Sequence, residues 1–178
     1  MGEASRNSYS ESKGKEAMIQ LTPLHQGLSV EVMTRKDLKE VLQIEALSFT
    51  EPWSEEMFLA ELDGKPFSHS FVVRSETSRR IIGYICFWIL GNEFHLLNLA
   101  VSPDSRNQGI GDWLLRWALI KGKERGALTA FLEVRPSNLT ARRLYERHGF
   151  KLLSSRTDYY DDPTEDALIL WHCNLGEL

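Results

Sequence analysis

Polar and apolar residues alternate along Ser29-Val-Glu-Val-Met33, the period-two pattern of a half-buried strand. The period then changes. Thr34 stands where a helix N-cap belongs, with Asp37 as an acidic partner three residues on. Leu38, Val41, Leu42, Ile44 and Glu45 continue a helical stripe to about Phe49. Pro52-Trp53-Ser54 interrupts it, and a second short helix is expected from about Ser54 to Leu62. His69–Arg74 and Arg80–Leu90 read as strands joined by the polar turn Glu76-Thr77-Ser78. Gly91-Asn92 is a hairpin turn into another strand, Glu93–Val101.

Beyond Val101 a polar, glycine-containing loop leads into a helix from Ile110 to about Arg125, ended by Gly126. Leu128–Val134 is a strand, Asn138–His148 a helix stopped by Gly149, and Lys151–Arg156 and Ala167–Cys173 are closing strands. The order β-α-α-β-β-β-α-β-α-β-β, without internal repeats, predicts a mixed α/β sheet with helices on both faces. Residues 1–17 are rich in Ser, Lys, Glu and Gly and contain no large aliphatic residue beyond Met1. A flexible tail over residues 1–27 and one domain over residues 28–178 are therefore expected.

Composition narrows the function classes. A 178-residue chain that is 42% hydrophobic supports one domain with a sizeable core. The formal net charge of -4 argues against wholesale binding to nucleic acid or to an anionic membrane. Cys86 and Cys173 form neither a disulfide framework nor a metal-ligand spacing, so no metal is expected. Cys86 lies in the apolar run Ile85-Cys-Phe-Trp88, where a cysteine is an inert core residue. No apolar run is long enough to span a bilayer, and no signal-peptide core is present, so a reducing, cytoplasmic setting is expected.

Candidate chemistry concentrates in two places. In the first, the strand ending at Val101 enters a loop holding Gly109 and Gly111, and a helix follows directly. Unpaired N–H groups and the positive end of the helix dipole make that position suited to a pyrophosphate, with Arg106 as an added cation. The loop is neither a Walker A sequence, since no Gly-Lys-Ser/Thr follows, nor a dinucleotide fingerprint, since Leu114 replaces the third glycine. An ordinary strand-to-helix turn fits the residues equally well.

The second place is Phe131-Leu-Glu-Val-Arg135 and the helix after it. Glu133 is the one carboxylate on its strand. Turned away from water, it would gain proton affinity and suit a general base. An α-amino group, with a pKa of about 7.7–8.0, needs only a modest one. A solvent-facing residue on an alternating strand is the other reading. Asn138 occupies an N-cap position and can also bond a ligand through its amide. Tyr145 shares a helical face with Ala141 and His148. Its phenol is either a core aromatic or a proton donor to a thiolate. His95 reads as a satisfied sheet histidine or an aid to proton transfer, and Arg142, Arg143 and Arg147 as a solvated helix face or a grip on an adenosine phosphate.

Val101-x-Pro103, Arg106-x-x-Gly109-x-Gly111, Leu132-Glu133-Val134-Arg135, Ser137-Asn138 and Leu144-Tyr145-Glu146-x-x-Gly149-Phe150 follow one another in order. Together they resemble the GCN5-related N-acetyltransferase (GNAT) superfamily over about Ser29 to Cys173. Pro52-Trp53-Ser54 and Tyr159-Tyr160 after Arg156 are similar to its ribosomal-protein alanine N-acetyltransferase branch. The resemblance implies a mostly antiparallel sheet of about seven strands with about four helices, whose two central strands splay apart. It implies acetyl-coenzyme A (acetyl-CoA) as co-substrate. The backbone of Leu99, Ala100 and Val101 would bond the pantetheine arm. Arg106, Asn107, Gln108, Gly109, Ile110, Gly111 and Asp112 would hold the pyrophosphate, and Asn138 would contact the cofactor near its reactive end.

By the same resemblance Glu133 would be the base and Tyr145 the acid, and Trp53, Tyr159 and Tyr160 would line the acceptor groove. A backbone N–H near Val101 is a candidate oxyanion donor. The implied acceptor is a protein N-terminus, that of an alanine-starting small-subunit ribosomal protein. A small-molecule amine, or cofactor binding without catalysis, is the alternative. Asp112 departs from the branch, which commonly has a basic or polar residue there; a carboxylate facing a pyrophosphate is unfavourable, whereas one pointing outward favours the helix N-terminus.

Overall fold

The sequence order of strands and helices is realised with small changes of boundary. The computed structural model describes residues 25–177. Of the segment expected to form a tail, residues 1–24 lie outside the described residues. The elements are β1 (Leu28–Val32), α1 (Leu38–Ala46), α2 (Glu55–Leu62), β2 (Ser68–Ser75), β3 (Ile81–Leu90) and β4 (Glu93–Val101). They continue as α3 (Ile110–Glu124), β5 (Thr129–Val134), α4 (Leu139–Arg147), β6 (Lys151–Asp161) and β7 (Thr164–His172). One seven-stranded sheet holds them in the order β1-β2-β3-β4-β5-β7-β6. Every neighbouring pair is antiparallel except the central pair β4–β5.

Each face of the sheet has its own core. On one, Ile110, Trp113, Leu114, Leu115, Ala118 and Leu119 of α3 and Tyr145 of α4 cover Phe87, Phe94, Leu96, Leu132 and Val134. On the other, Leu38, Val41 and Ile44 of α1 and Phe58 of α2 cover Val72, Tyr84, Cys86 and Ala100. The apolar stripes read from sequence are these two faces.

A bulge at Leu97 interrupts β4. The register runs Cys86↔Asn98 and then Phe87↔Leu96. One extra residue inverts side-chain parity. Phe94 and Leu96 therefore pack under α3, whereas Ala100 packs under α1. Simple alternation along Glu93–Val101 does not reveal this reversal.

Several local boundaries differ from the sequence reading, among them the start of β7 at Thr164 rather than Ala167. The first helix begins as a 3-10 turn over Arg35–Asp37 and ends at Ala46 rather than near Phe49. Its start is held by Asp37, whose carboxylate accepts from the Thr34 N–H at 2.8 Å and the Thr34 hydroxyl at 2.9 Å. Strand β6 continues to Asp161, past the expected end at Arg156. It is an edge strand exposed at nearly every position, so no apolar alternation marks its length.

The packing of α3 gives a first test. A methyl group at Gly122 would lie 2.7 Å from Cδ2 of Phe94, a fully buried ring. Ala normally stabilises a helix interior over Gly by about 1 kcal/mol. Here overpacking outweighs that gain, and Gly122→Ala is expected to destabilise by about 1–2 kcal/mol. Thermal unfolding should show Tm lowered by a few degrees; an unchanged or raised Tm would show that the ring yields freely.

Candidate active site

The parallel pairing of β4 with β5 runs from Glu93↔Thr129 to Leu96↔Leu132 and stops. From Leu97 onward β4 keeps only β3 as a neighbour, with Leu99 opposite Ile85, Ala100 opposite Tyr84 and Val101 opposite Gly83. Its other edge is open. Backbone groups on such an edge seek partners, and an extended amide-bearing chain laid along it would supply them.

The open edge leads straight into the glycine loop. Asn107 and Gly109 both take left-handed backbone angles, φ 60 and φ 75. Gly109 is the N-cap of α3 and brings no side-chain cap. Trp113 is the first residue of the turn whose N–H meets a backbone carbonyl, that of Gly109 at 3.0 Å; among the described residues, the N–H groups from Asn107 to Asp112 have none. That cluster of free donors, at the positive end of a 15-residue helix, fits a pyrophosphate. Gly111 supports the same fit. A Cβ there would meet only Val101 Cγ2 at 3.7 Å, an ordinary contact, and its φ is not positive. Nothing in the chain itself requires glycine at 111.

Two loop side chains have partners that sequence reasoning did not foresee. Arg106 donates from Nε to the Val101 carbonyl at 3.0 Å and from Nη2 to the Ser48 hydroxyl at 2.8 Å. It ties the end of β4 to the segment after α1. Asp112 turns towards α4, where Arg147 Nη2 lies at 3.0 Å and His148 Nε2 at 3.3 Å. Partial burial opposes its ionisation, but the Arg147 hydrogen bond and the adjacent imidazole outweigh that and hold the carboxyl below its ordinary value. The departure at 112 thus has a structural partner and leaves its backbone N–H in the loop.

Glu133 and Tyr145 sit on opposite faces of the sheet. Along β5, Ala130, Leu132 and Val134 point into the α3 core, which places Glu133 on the α1 side. Its carboxylate is not withdrawn from water: the side chain is 31% exposed and pairs with Arg156 Nη1 at 2.8 Å. The Tyr159 hydroxyl hydrogen-bonds to it as well. Tyr145 lies in the α3 core, 8% exposed, beside Phe150. Burial, with Tyr160 nearby, raises its phenol well above the ordinary value. The phenol is therefore protonated across the neutral range.

Tyr159 and Tyr160 meet edge to face at 5.1 Å. The Tyr160 phenol is pushed up to about 12 by burial and by the charge of Glu133. Arg135 stacks on the Tyr160 ring at 4.0 Å. Trp53 packs on Phe58 at 5.2 Å and donates its backbone N–H to Glu45. Asn138 caps α4, its Oδ1 accepting from the Ala141 N–H at 3.0 Å. The capping reading therefore accounts for its oxygen.

Sequence reasoning missed Glu51 as a site-building residue. Its Oε1 accepts the N–H groups of Asp161 and Asp162, each at 2.9 Å, and Oε2 accepts from Arg135 Nη2 at 2.7 Å. One carboxylate thereby joins the loop after α1 to the β6–β7 hairpin, beside Tyr160. The partners are more than eighty positions away, and no local pattern announces them. His95, by contrast, is the held sheet histidine expected, 2.8 Å from Glu93 and stacked on Phe131.

This geometry agrees with known proteins. The sequence model of the acetyltransferase (GNAT) family matches residues 38–150. The chain belongs to that family. It is 38% identical over 143 residues to a Bacillus subtilis (strain 168) protein provisionally named ribosomal protein bS18-alanine N-acetyltransferase, covering 80% of this chain and 93% of that one. The Salmonella typhimurium ribosomal protein bS18-alanine N-acetyltransferase is 32% identical over 146 residues, 80% of this chain and 95% of that one. The crystal structure of the Escherichia coli ribosomal-protein-S18-alanine N-acetyltransferase superposes with a TM-score of 0.74 at 31% identity, covering 82% of this chain and 92% of that one.

Cys86 offers no nucleophile for a covalent intermediate. Complete burial pushes that thiol up to about 12, so it is protonated and unreactive near neutrality. Among the described residues no helix is long and apolar enough to cross a membrane.

The Asp112 contacts generate a pH prediction. A carboxyl held below its unfolded value of about 3.8 contributes stability above that value, and the contribution fades as pH falls through the lower folded one. Asp112 is 43% exposed, so solvent limits its pairing with Arg147 to below about 1 kcal/mol. Asp112→Asn should lower the urea midpoint slightly at pH 7, and the two proteins should converge as pH falls below about 4. A gap that widens with acidity would refute this sign.

Proposed function

We propose that this acetyltransferase moves an acetyl group from acetyl-CoA to the α-amino group of an alanine-starting protein N-terminus, a ribosomal protein of the bS18 type. The observation that carries the reading is the parting of β4 from β5 after Leu96, with a loop of free N–H groups at one end and Glu133 on the adjacent strand. The names and 32–38% identities of the two bacterial relatives support the acceptor class. The catalytic domain is assigned to residues 28–178, and the work to the cytoplasm.

In this reading the N–H groups of residues 107–112 hold the pyrophosphate, and the open edge at Leu99–Val101 bonds the pantetheine amides. Acetyl-CoA, when bound, supplies a thioester whose carbonyl is the electrophile. Glu133 takes a proton from the incoming amine, directly or through water, so that nitrogen presents its lone pair. Tyr145, on the far side of the gap, delivers its phenolic proton to sulfur as the C–S bond breaks. Trp53, Tyr159 and Tyr160 orient the acceptor, and holding both reactants in one complex provides much of the rate gain. Arg156 and the Tyr159 hydroxyl fix the direction of the carboxylate.

The test is release of coenzyme A from acetyl-CoA in the presence of an alanine-starting peptide or of a panel of polyamines and amino acids. Turnover on the peptide is expected; turnover confined to free amines would overturn the acceptor, and cofactor binding without turnover would overturn the enzymatic reading. Glu133→Gln and Tyr145→Phe should each lower kcat by about 10²–10⁴ with calorimetric cofactor affinity intact. Full rates at neutral pH in both would remove the assigned roles. Gly111→Ala should leave Tm within about 2 °C, since its Cβ meets only ordinary contact, while cofactor affinity falls about tenfold or more. Unchanged affinity would place the pyrophosphate elsewhere.

A further inference from the structure

Glu45 is the most buried carboxylate described in the molecule, 1% exposed, and the mechanism above does not use it. It sits in the last turn of α1 and meets three neutral donors from three segments. Oε1 accepts the Trp53 N–H at 2.7 Å and the Asn98 side-chain amide at 3.1 Å. Oε2 accepts the Tyr84 hydroxyl, which also lies 3.2 Å from Asn98 Oδ1. Burial raises its proton affinity, and the Trp53 and Asn98 bonds only partly offset this.

An acidic group buried among neutral partners is costly to desolvate, and its place is explained by what it joins. Its partners indicate what it does. Asn98 is the first residue past the β4 bulge, where the strand leaves β5. Trp53 closes the loop between α1 and α2, and the Glu45 carbonyl also accepts the N–H groups of Ser48 and Phe49 in that loop, at 2.9 and 3.1 Å. One residue thus holds both ends of the loop, and its carboxylate joins that loop to the strand carrying the open edge.

We infer that Glu45 is a positioning residue that sets the acceptor loop at Trp53 at a fixed distance from the strand that holds the thioester. The inference rests on the acceptor reading of Trp53 given above. It touches no reacting atom; it acts through the placement of Trp53. Because a misplacement of about 1 Å can cost about 10²-fold in rate, loss of the carboxylate is read in the acceptor kinetics and not in cofactor binding.

The experiment compares the full chain with Glu45→Gln and, as a milder change that keeps the buried ring, Tyr84→Phe. Steady-state kinetics use an alanine-starting peptide and acetyl-CoA, with cofactor affinity by calorimetry and the Trp53 amide followed in 15N-labelled protein. For Glu45→Gln, kcat/KM for the peptide should fall about 10–100-fold, acetyl-CoA affinity should stay within about twofold, and the Trp53 amide proton should move upfield as its carboxylate acceptor is lost. Tyr84→Phe should repeat the pattern at about 3–10-fold. Peptide kinetics unchanged in both, or cofactor affinity falling in step with them, would overturn the inference. Should Glu45→Gln fail to fold, Tyr84→Phe decides alone by the same criteria. The amide readout needs no acceptor, so it judges Glu45 even where the wild type acetylates free amines; a Trp53 resonance that stays in place would sink the positioning role by itself.

Discussion

Everything at this site follows from two central strands that stop pairing after four residues of register. An open strand edge inside a sheet is unfavourable unless something occupies it, because its amides and carbonyls would otherwise lack partners. The bulge at Leu97 is where the cost is incurred and turned to use. It ends the ladder to β5, redirects Ala100 and Asn98 towards α1, and leaves Leu99 and Val101 packed on the α3 core. The pairing with β3 continues to Val101, so this segment is held on one side while its other edge remains open. The glycine loop then starts where the strand ends, which puts a set of free N–H groups in line with it.

In the proposed reaction the gap lets Glu133 and Tyr145 act together without sharing an environment. Glu133 stands on the α1 face, partly exposed, in contact with Arg156 and Tyr159. Tyr145 lies in the apolar core on the other face, where burial keeps its phenol protonated. A sheet without a gap would separate them completely. In the proposed reaction an amine arriving from one side meets Glu133, and a sulfur departing towards the other meets Tyr145.

The strand, glycine loop and helix start proposed to hold the donor were legible in the sequence because they are local. The strand end, loop, Gly109, Gly111 and helix start lie within Leu97–Asp112, and each contributes through backbone geometry that glycine and helix-start signals encode. Glu133 and Tyr145 were legible as candidates, although composition and spacing alone left them open to plain structural readings. The helices and most strands were legible through their two apolar faces. What stayed hidden depends on parity or distance. The Leu97 bulge does not disturb the apolar run it sits in. The end of β6 has no buried face to mark it. The Arg106 bonds to Val101 and Ser48, and the turn of Asp112 towards Arg147, are choices of rotamer made by neighbours 5 to 58 positions away.

The proposed acceptor half shows why family membership is easier to read than substrate. It is assembled from the loop after α1, the end of β5 and the β6–β7 hairpin, with Glu51 bonding Arg135, Asp161 and Asp162, and Arg135 lying on Tyr160. None of these contacts is close in sequence, and all lie on exposed segments where composition is weakly constrained by packing. A substitution at Glu51 or in the hairpin can therefore reshape the acceptor groove while leaving β4, the glycine loop and α3 untouched. Two proteins can thus share the whole donor half and differ in what they acetylate, so acceptor identity is carried by how these distant segments are held together.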